Sequence, residues 1–395
     1  MDCTHPTWAG MKWPEADRFG SGPFPRTVLP PPHPLARLER RFSRYGLPYE
    51  AVKEALRRMA PPPDLVLLSC QMTYWYPGAI TAARLVRSIW PRVPVVLGGA
   101  YATLCPDHAE THQPVDWNLQ GPAEQADNWR AIWSLLGAEA PAHPGSTVSP
   151  SLLRKLYPLA EFSVILGSRG CPFSCPYCAS NALFPGFIQG SCSEMWPEIE
   201  AEIERGIRDF AFYDDALLVD PESWLLPLLE RLRSRLEPVR LHTPNGLHVR
   251  SLSLELCRRL KSAGLTTVRL GLETADFTSR WDAKLSEEQW RSGLSNLFQA
   301  GFSPDAIGAY ILFGLPGQRA EEIERAIHFA KGFGIRPHLA YYSPIPGSRL
   351  FETAKAHSPF PLAEEPLYHN RSLWPCYPGG FSWAERSRWD SILKG

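Results

Sequence analysis

The chain has 395 residues, with 41 basic and 41 acidic side chains and 44% hydrophobic content. That length suits two domains, or one large domain with extensions, and the apolar content is ample for a buried core. Balanced charge supplies no global field toward nucleic acid, and no run of about 18 apolar residues offers a membrane span, so neither partner is expected.

The start, Met1-Asp2-Cys3-Thr4-His5-Pro6, lacks a basic region followed by an apolar one and does not read as a signal peptide. Nine cysteines is an odd number, and Cys3, Cys70, Cys105, Cys192, Cys257 and Cys376 stand singly. That is no secreted disulfide framework and fits a reducing cytoplasm.

Residues 1–60 read as a Pro-rich arm followed by a helix, with Leu35, Leu38, Phe42, Val52, Leu56 and Met59 at helical spacing before Pro61-Pro62-Pro63. Residues 61–140 read as a small, truncated Rossmann-like domain. Its strands are Leu65 to Leu68, a continuous apolar run of the kind buried on both faces, then Val93 to Leu97 and Val115 to Leu119. Helices fall at Gly78 to Trp90 and Ala123 to Leu136. The ligand crevice should lie at the carboxyl ends of these strands. There the loop Met72-Thr73-Tyr74-Trp75-Tyr76 is either packed against a neighbouring domain or a flat aromatic face for a ligand.

A Pro/Ser/Gly linker at 141–150 precedes a second alternation over 155–356. Strand patterns at 162–168, 209–213, 239–243, 266–272, 306–313 and 337–343 are each followed by a helical pattern. Six βα units are too few for an eight-unit barrel of about 250 residues, so a partial (β/α)6 barrel is expected. The whole is an α/β protein, closed by an irregular C-terminal extension at 357–395.

At the end of the first barrel strand stands Cys171-Pro172-Phe173-Ser174-Cys175-Pro176-Tyr177-Cys178, a C-x3-C-x2-C spacing. Cubane iron–sulfur clusters usually take four thiolates, so three leave one iron open to a small molecule. Zinc is the rival, but its cysteine pairs come with a second pair or histidines, and no second pair exists here.

This spacing, with Tyr177 before the last cysteine and a (βα)6 pattern behind it, resembles the radical S-adenosylmethionine superfamily over 155–350. The resemblance implies that Cys171, Cys175 and Cys178 hold a 4Fe-4S cluster. Its open iron would bind S-adenosylmethionine, whose reductive cleavage gives a 5′-deoxyadenosyl radical. An electron donor such as flavodoxin or ferredoxin is implied too.

Cofactor contacts are expected from Tyr177, and from Asp214 or Asp215 toward the methionine ammonium, although Asp215 also suits a turn cap. Asn245 suits a carboxylate or ribose hydroxyl, or simply the turn before Gly246. Arg269 and Glu273 share one strand face, where a charged pair inside a barrel must serve a ligand or each other. Leu312 and Gly314, in Leu312-Phe313-Gly314-Leu315-Pro316-Gly317, resemble the family's adenine-contacting motif, with Gln318 where the family often has an acid. Tyr342 completes the wall. Cys376 is the candidate catalytic thiol, its alternative being a small buried hydrophobe. His338 and His369 are possible substrate contacts for which structural roles are favoured.

The N-terminal half resembles the cobalamin-binding domain that precedes many such barrels, through Asp64 to Ser69, Val95 to Thr103, Gly121 and Glu124. It lacks the Asp-x-His-x-x-Gly segment. Either cobalamin binds without a histidine ligand, with Tyr74 or Trp75 beneath the corrin, or the domain is a relic. The leading expectation is radical chemistry on a small-molecule or peptide substrate, with cobalamin-dependent methyl transfer as the reaction. The alternatives are cobalamin-free carbon–carbon bond formation, rearrangement or oxidation, and a non-catalytic electron-transfer protein.

Overall fold

The computed structural model describes residues 24–38, 40–142, 161–282 and 284–395. Cys3, His5 and most of the expected arm and linker lie outside these residues. The chain divides into two compact units, one holding residues 24–142 and 361–369, the other 161–360 and 370–395.

The first unit opens with an antiparallel pair, β1 (Arg26–Leu29) and β2 (Phe42–Tyr45). This corrects the expectation of an irregular arm and a helix through 35–60. Pro48 delays the helix to Tyr49–Arg57, since a residue preceding proline is held extended and proline itself sits well only at a helix start. Three parallel strands follow: β3 (Val66–Ser69), β4 (Val95–Gly98) and β5 (Trp117–Asn118), in the order β3-β4-β5. The centre is β4, with Val95, Val96 and Leu97 fully buried. By contrast β3 is an edge strand that exposes Leu67, so its apolar run is not covered on both faces. Helices Tyr76–Ile89 and Ala126–Leu135 match the expectation, whereas Ala100–Leu104 and Pro106–His112 were not foreseen.

Part of the expected C-terminal extension belongs to this first unit. Glu365 accepts from the Tyr76 hydroxyl (3.3 Å), Tyr368 donates to the Pro34 carbonyl (2.8 Å), and His369 is bonded to Thr73 Oγ1 (2.9 Å). His369 is buried with both ring nitrogens engaged, the second at Leu362 O, which is a structural role.

In the second unit, β6 (Phe162–Ile165) is followed by a short antiparallel ribbon, β7 (Ser168–Gly170) and β8 (Phe187–Gln189), which flanks the cysteine loop. Then come β9 (Asp209–Phe212), β10 (Arg240–Leu247), β11 (Leu265–Glu273), β12 (Ile307–Phe313) and β13 (Arg336–Tyr341). Six of these form one parallel sheet in the order β13-β12-β11-β10-β9-β6, the open, sequential order of a partial barrel. The two-residue period of a strand sorts the side chains. Phe210, Phe212, Leu241, Val268, Leu270, Ile307, Ile311 and Phe313 bury against the helices, leaving polar residues and glycines on the other face.

The helices begin where local chemistry satisfies their free N–H groups. Ser191 and Glu194 cap Cys192–Glu204 reciprocally, as Ser286 and Gln289 cap Glu287–Gln299. Beyond 370 the chain is not simply irregular: Trp383–Lys394 is a helix, and its Trp389 is fully buried beside Phe313, as are Trp374 and Tyr377.

Gly167 joins β6 to β7 under the Trp224 ring, where a Cβ would stand 2.2 Å from Trp224 Cζ3. Gly167→Ala should therefore lower unfolding stability by about 1–3 kcal/mol, measured by urea denaturation. A change within experimental error would show that the loop's entry tolerates a side chain.

Candidate cofactor site

The cysteine loop spans from β7 to the one-turn helix Ser180–Leu183. Its entry is fixed by Asp214, whose Oδ1 accepts from both Ser168 N and Ser168 Oγ (2.6 Å each). Its carbonyls are taken one by one: Phe173 O by Asn181 (3.1 Å), Ser174 O by Arg349, and Pro176 O by Leu350 N (2.8 Å). The Phe173 ring packs on His248 at 4.3 Å, with the Arg250 guanidinium over it at 5.0 Å. Burial, then Lys284 and Arg250, push the His248 pKa down to about 4, so it packs as a neutral ring. A loop held at so many points presents its thiols without further ordering.

All three thiols are free; Cys178 is exposed and the other two are half-buried. Among the described residues no three His, Cys, Asp or Glu side chains converge as a single metal ion requires. A cubane lets each thiolate take a separate iron. Burial raises the pKa of Cys171 and Cys175, and at Cys175 the Lys284 ammonium opposes that rise. Ser180 N donates to Cys178 Sγ (3.4 Å).

Lys284 is the main residue that the sequence reading missed. Its Nζ lies 3.1 Å from Glu273 Oε1, 2.9 Å from Tyr177 Oη and 3.5 Å from Asp282 Oδ2. Tyr177 in turn donates to Asp282 (2.8 Å), and Asp282 is paired with the buried Arg280 (2.9 Å). The signal was present: Glu273 ends a strand and needs a counter-charge, and Lys284 is the next lysine along the chain. Glu273 also takes a left-handed conformation, φ +64°, at the strand's end. Of the two alternatives for Arg269 and Glu273, they do not serve each other; Glu273 takes Lys284, and Arg269 stands four residues earlier on β11.

The other expected residues fall into two groups. Asp215 is exposed near Cys171 and is bonded to Ser180. Asn245 donates Nδ2 to Tyr213 O (3.0 Å) and Asp214 O (3.2 Å), pinning the end of β9. Gly314, φ +80°, begins a turn clamped by Gln318. Gln318 Oε1 accepts from Gly314 N (2.7 Å) and Leu315 N (3.1 Å), while its Nε2 donates to Leu312 O (2.9 Å). An ionised acid could make only the first two bonds, which explains the amide there.

The remaining residues are buried. Asp214 is buried, with its Oδ1 on Ser168. Tyr342 is buried beside Cys376, and Cys376 is buried against the Ala354 carbonyl with its thiol pushed up to about 12 by burial. A protonated, enclosed thiol is poorly placed for chemistry, so the packing alternative holds for Cys376.

In the first unit, Gly99 (φ +91°) lets the end of β4 approach β3, since a Cβ would stand 2.7 Å from Cys70 O. Gly121 N donates to Thr103 Oγ1 (2.9 Å), and Asn118 Oδ1 at the end of β5 is buried without a partner. An orphan acceptor between two such turns fits a polar ligand tail. Tyr74 meets Trp75 edge-on at 6.2 Å, and Trp75 is exposed. His108 is hydrogen-bonded to the Tyr101 hydroxyl (2.6 Å) and stacks on His112.

A partial barrel with three thiols on the loop after its first strand, preceded by a Rossmann-like unit, defines an iron–sulfur protein of the S-adenosylmethionine type. Residues 165–330 match the model of the Radical SAM superfamily, and residues 46–128 match that of the B12 binding domain. The chain thus carries a radical SAM domain over its barrel and a B12-binding domain ahead of it. It is a radical SAM enzyme; such enzymes use a 4Fe-4S cluster with S-adenosylmethionine and need a reductant, and the matched B12 binding domain is of the kind that holds cobalamin.

A protein of Pyrococcus horikoshii described as the uncharacterized methyltransferase PH0819 is 26% identical over 333 residues, 75% of this chain and 70% of that protein. The radical S-adenosylmethionine methyltransferase TsrM of Kitasatospora setae has a similar fold. Its structure with tryptophan and aza-SAM covers 78% of this chain and 68% of that one, with a TM-score of 0.61 and 15% identity. Its structure with cobalamin and a [4Fe-4S] cluster gives a TM-score of 0.61 and 16% identity over 78% and 70%.

Two outcomes follow from this geometry. Burial raises the Asp214 pKa from 3.8 to about 6, so its ionised form is disfavoured in the fold. The stability it contributes is full below pH 4 and is lost as pH rises through 6, on the order of 3 kcal/mol. Urea titrations should show Asp214→Asn losing less stability than wild type between pH 4 and 7; identical slopes would contradict this. Lys284→Met strands Glu273 and should cost about 3–5 kcal/mol and lower iron incorporation. Wild-type stability in that variant would remove Lys284 from the site.

Proposed function

We propose that this protein is a cobalamin-dependent radical S-adenosylmethionine methyltransferase acting on a small molecule or peptide. The observation that carries this reading is the coexistence in one chain of a pinned three-thiol loop and a three-stranded parallel unit whose buried Asn118 Oδ1 lacks a partner. The names of its relatives support it as well. When bound, the cluster and S-adenosylmethionine supply reductive sulfur–carbon cleavage, and cobalamin supplies a methyl carrier.

The chain's own part is holding and orienting. Cys171, Cys175 and Cys178 would ligate iron, with Lys284 favouring the Cys175 thiolate. Asp215 is the exposed acid near Cys171 that could meet an ammonium, while Glu273 and Lys284 hold each other beside Tyr177. Gln318 holds Gly314 in a turn without a side chain, which leaves room for a flat base. Tyr74 and Trp75 are the candidate aromatic face beneath a corrin. No histidine is assigned as a cobalt ligand, since His108 is committed to Tyr101.

A flavodoxin or ferredoxin is the proposed reductant and the cytoplasm the proposed compartment. All eight cysteines among the described residues are free, and no helix there is long and apolar enough to cross a membrane.

The test uses full-length protein reconstituted anaerobically with iron, sulfide and hydroxocobalamin, then reduced in the presence of trideuteromethyl-labelled S-adenosylmethionine. S-Adenosylhomocysteine should be released and label should appear in the protein-bound corrinoid fraction. Formation of 5′-deoxyadenosine with no retained corrinoid would instead establish the cobalamin-free reaction. Cys171→Ala should lose the cluster's visible absorbance.

A further inference from the structure

The inner face of the barrel holds a second group of charges away from the cysteine loop. Arg269 on β11 pairs in register with Gly308 on β12, and Gly308 with Arg336 on β13. His338, two residues after Arg336, shares its strand face. Because Gly308 lacks a side chain, the His338 ring and the Arg269 stem both lean over it. A Cβ there would be 2.7 Å from His338 Nε2 and 3.0 Å from Arg269 Cδ.

The charge around this space does not balance. Asp209 is the acid on this part of the face, and it is already held by Arg240 (2.6 Å) and His242 (3.0 Å). The Arg269 guanidinium donates only to the Val268 carbonyl (3.3 Å), and neither Arg269 nor Arg336 has an acidic partner among the described residues. His338 Nε2 is buried without a hydrogen-bond partner. Both arginines lower the His338 pKa in addition to burial, so they stand close to its ring. Arg269 is partly buried and Arg336 is exposed at the strand's start; a partly buried guanidinium beside an orphan ring nitrogen is a costly arrangement unless an anion completes it.

We propose that Arg269, with Arg336 and His338, forms an oxyanion subsite that anchors a carboxylate or phosphate group of the substrate. This rests on the reading of the barrel as the site of reaction on a small substrate. The Arg269 Cα lies about 13 Å along β11 from Glu273, at about 3.3 Å per residue, so the anchored end sits remote from the thiol loop. Between them the inner face carries Gly246 and Gly271, where the Tyr310 ring and the Glu273 carboxylate lie against the sheet. The planar fork of Arg269 matches either oxyanion, and the substrate class is therefore an anionic small molecule, such as a carboxylic acid or a phosphate ester.

The test is binding, not turnover. Full-length, cluster-reconstituted protein labelled with 15N-histidine is titrated with malonate and, separately, with inorganic phosphate, against sodium chloride of equal ionic strength. The His338 signal is identified by its absence in His338→Gln. At least one of the two anions should shift that signal saturably, and which one does so distinguishes carboxylate from phosphate. Arg269→Gln should weaken the effect at least tenfold, and Arg336→Gln severalfold. If Arg269→Gln does not fold, Arg336→Gln decides. No saturable shift beyond chloride, or curves unchanged in the folded variants, overturns the proposal. Failure of methyl transfer would leave this readout untouched, so the two readings fail separately.

Discussion

The Lys284 ammonium is the point at which the cysteine loop, β11 and the loop after β11 meet. It touches the strand's terminal carboxylate, the tyrosine between two cluster cysteines and the carboxylate held by Arg280. A cation this enclosed is stable only if its partners are all in place. It thereby ties the position of Tyr177 to that of Glu273 across 96 residues of chain, and it biases Cys175 toward the charged form that iron needs. The left-handed backbone at Glu273 is the cost of aiming that carboxylate at Lys284.

The barrel was legible because its strands are short apolar runs that alternate with amphipathic helices, and both patterns survive in a single sequence. The cysteine spacing was legible because ligands on one loop are close in sequence. What could not be read were partners distant in sequence. Nothing in Asp214-Asp215 says that the first acid turns in to Ser168 and the second stays exposed near Cys171. Strand periodicity put Glu273 and Arg269 on one face, serving a ligand or each other, yet it could not show that the returning loop brings Lys284 to Glu273. The tail misled for another reason: prolines and tryptophans suggest irregular packing, and they conceal both a terminal helix and a segment that joins the first unit.

Glycines shape the working face as much as charges do. At Gly271 the space beside the strand is taken by Glu273 and approached by Lys284; at Gly308 it is taken by His338 and Arg269. Each glycine thus gives a pair of polar groups room to lie against the sheet while their stems remain sheltered. A face built this way is hollow, and its chemistry is set by what leans into it from neighbouring strands.

The return of residues 361–369 to the first unit has a consequence for biosynthesis. Tyr76 and Thr73 wait for Glu365 and His369, which leave the ribosome almost 300 residues later. The first unit is thus completed only after the barrel strands have been translated, and the barrel must emerge while that unit is still missing its final strap. A fragment cut after residue 142 is accordingly an unfinished object rather than a domain, and any engineered split of this chain has to carry the strap along.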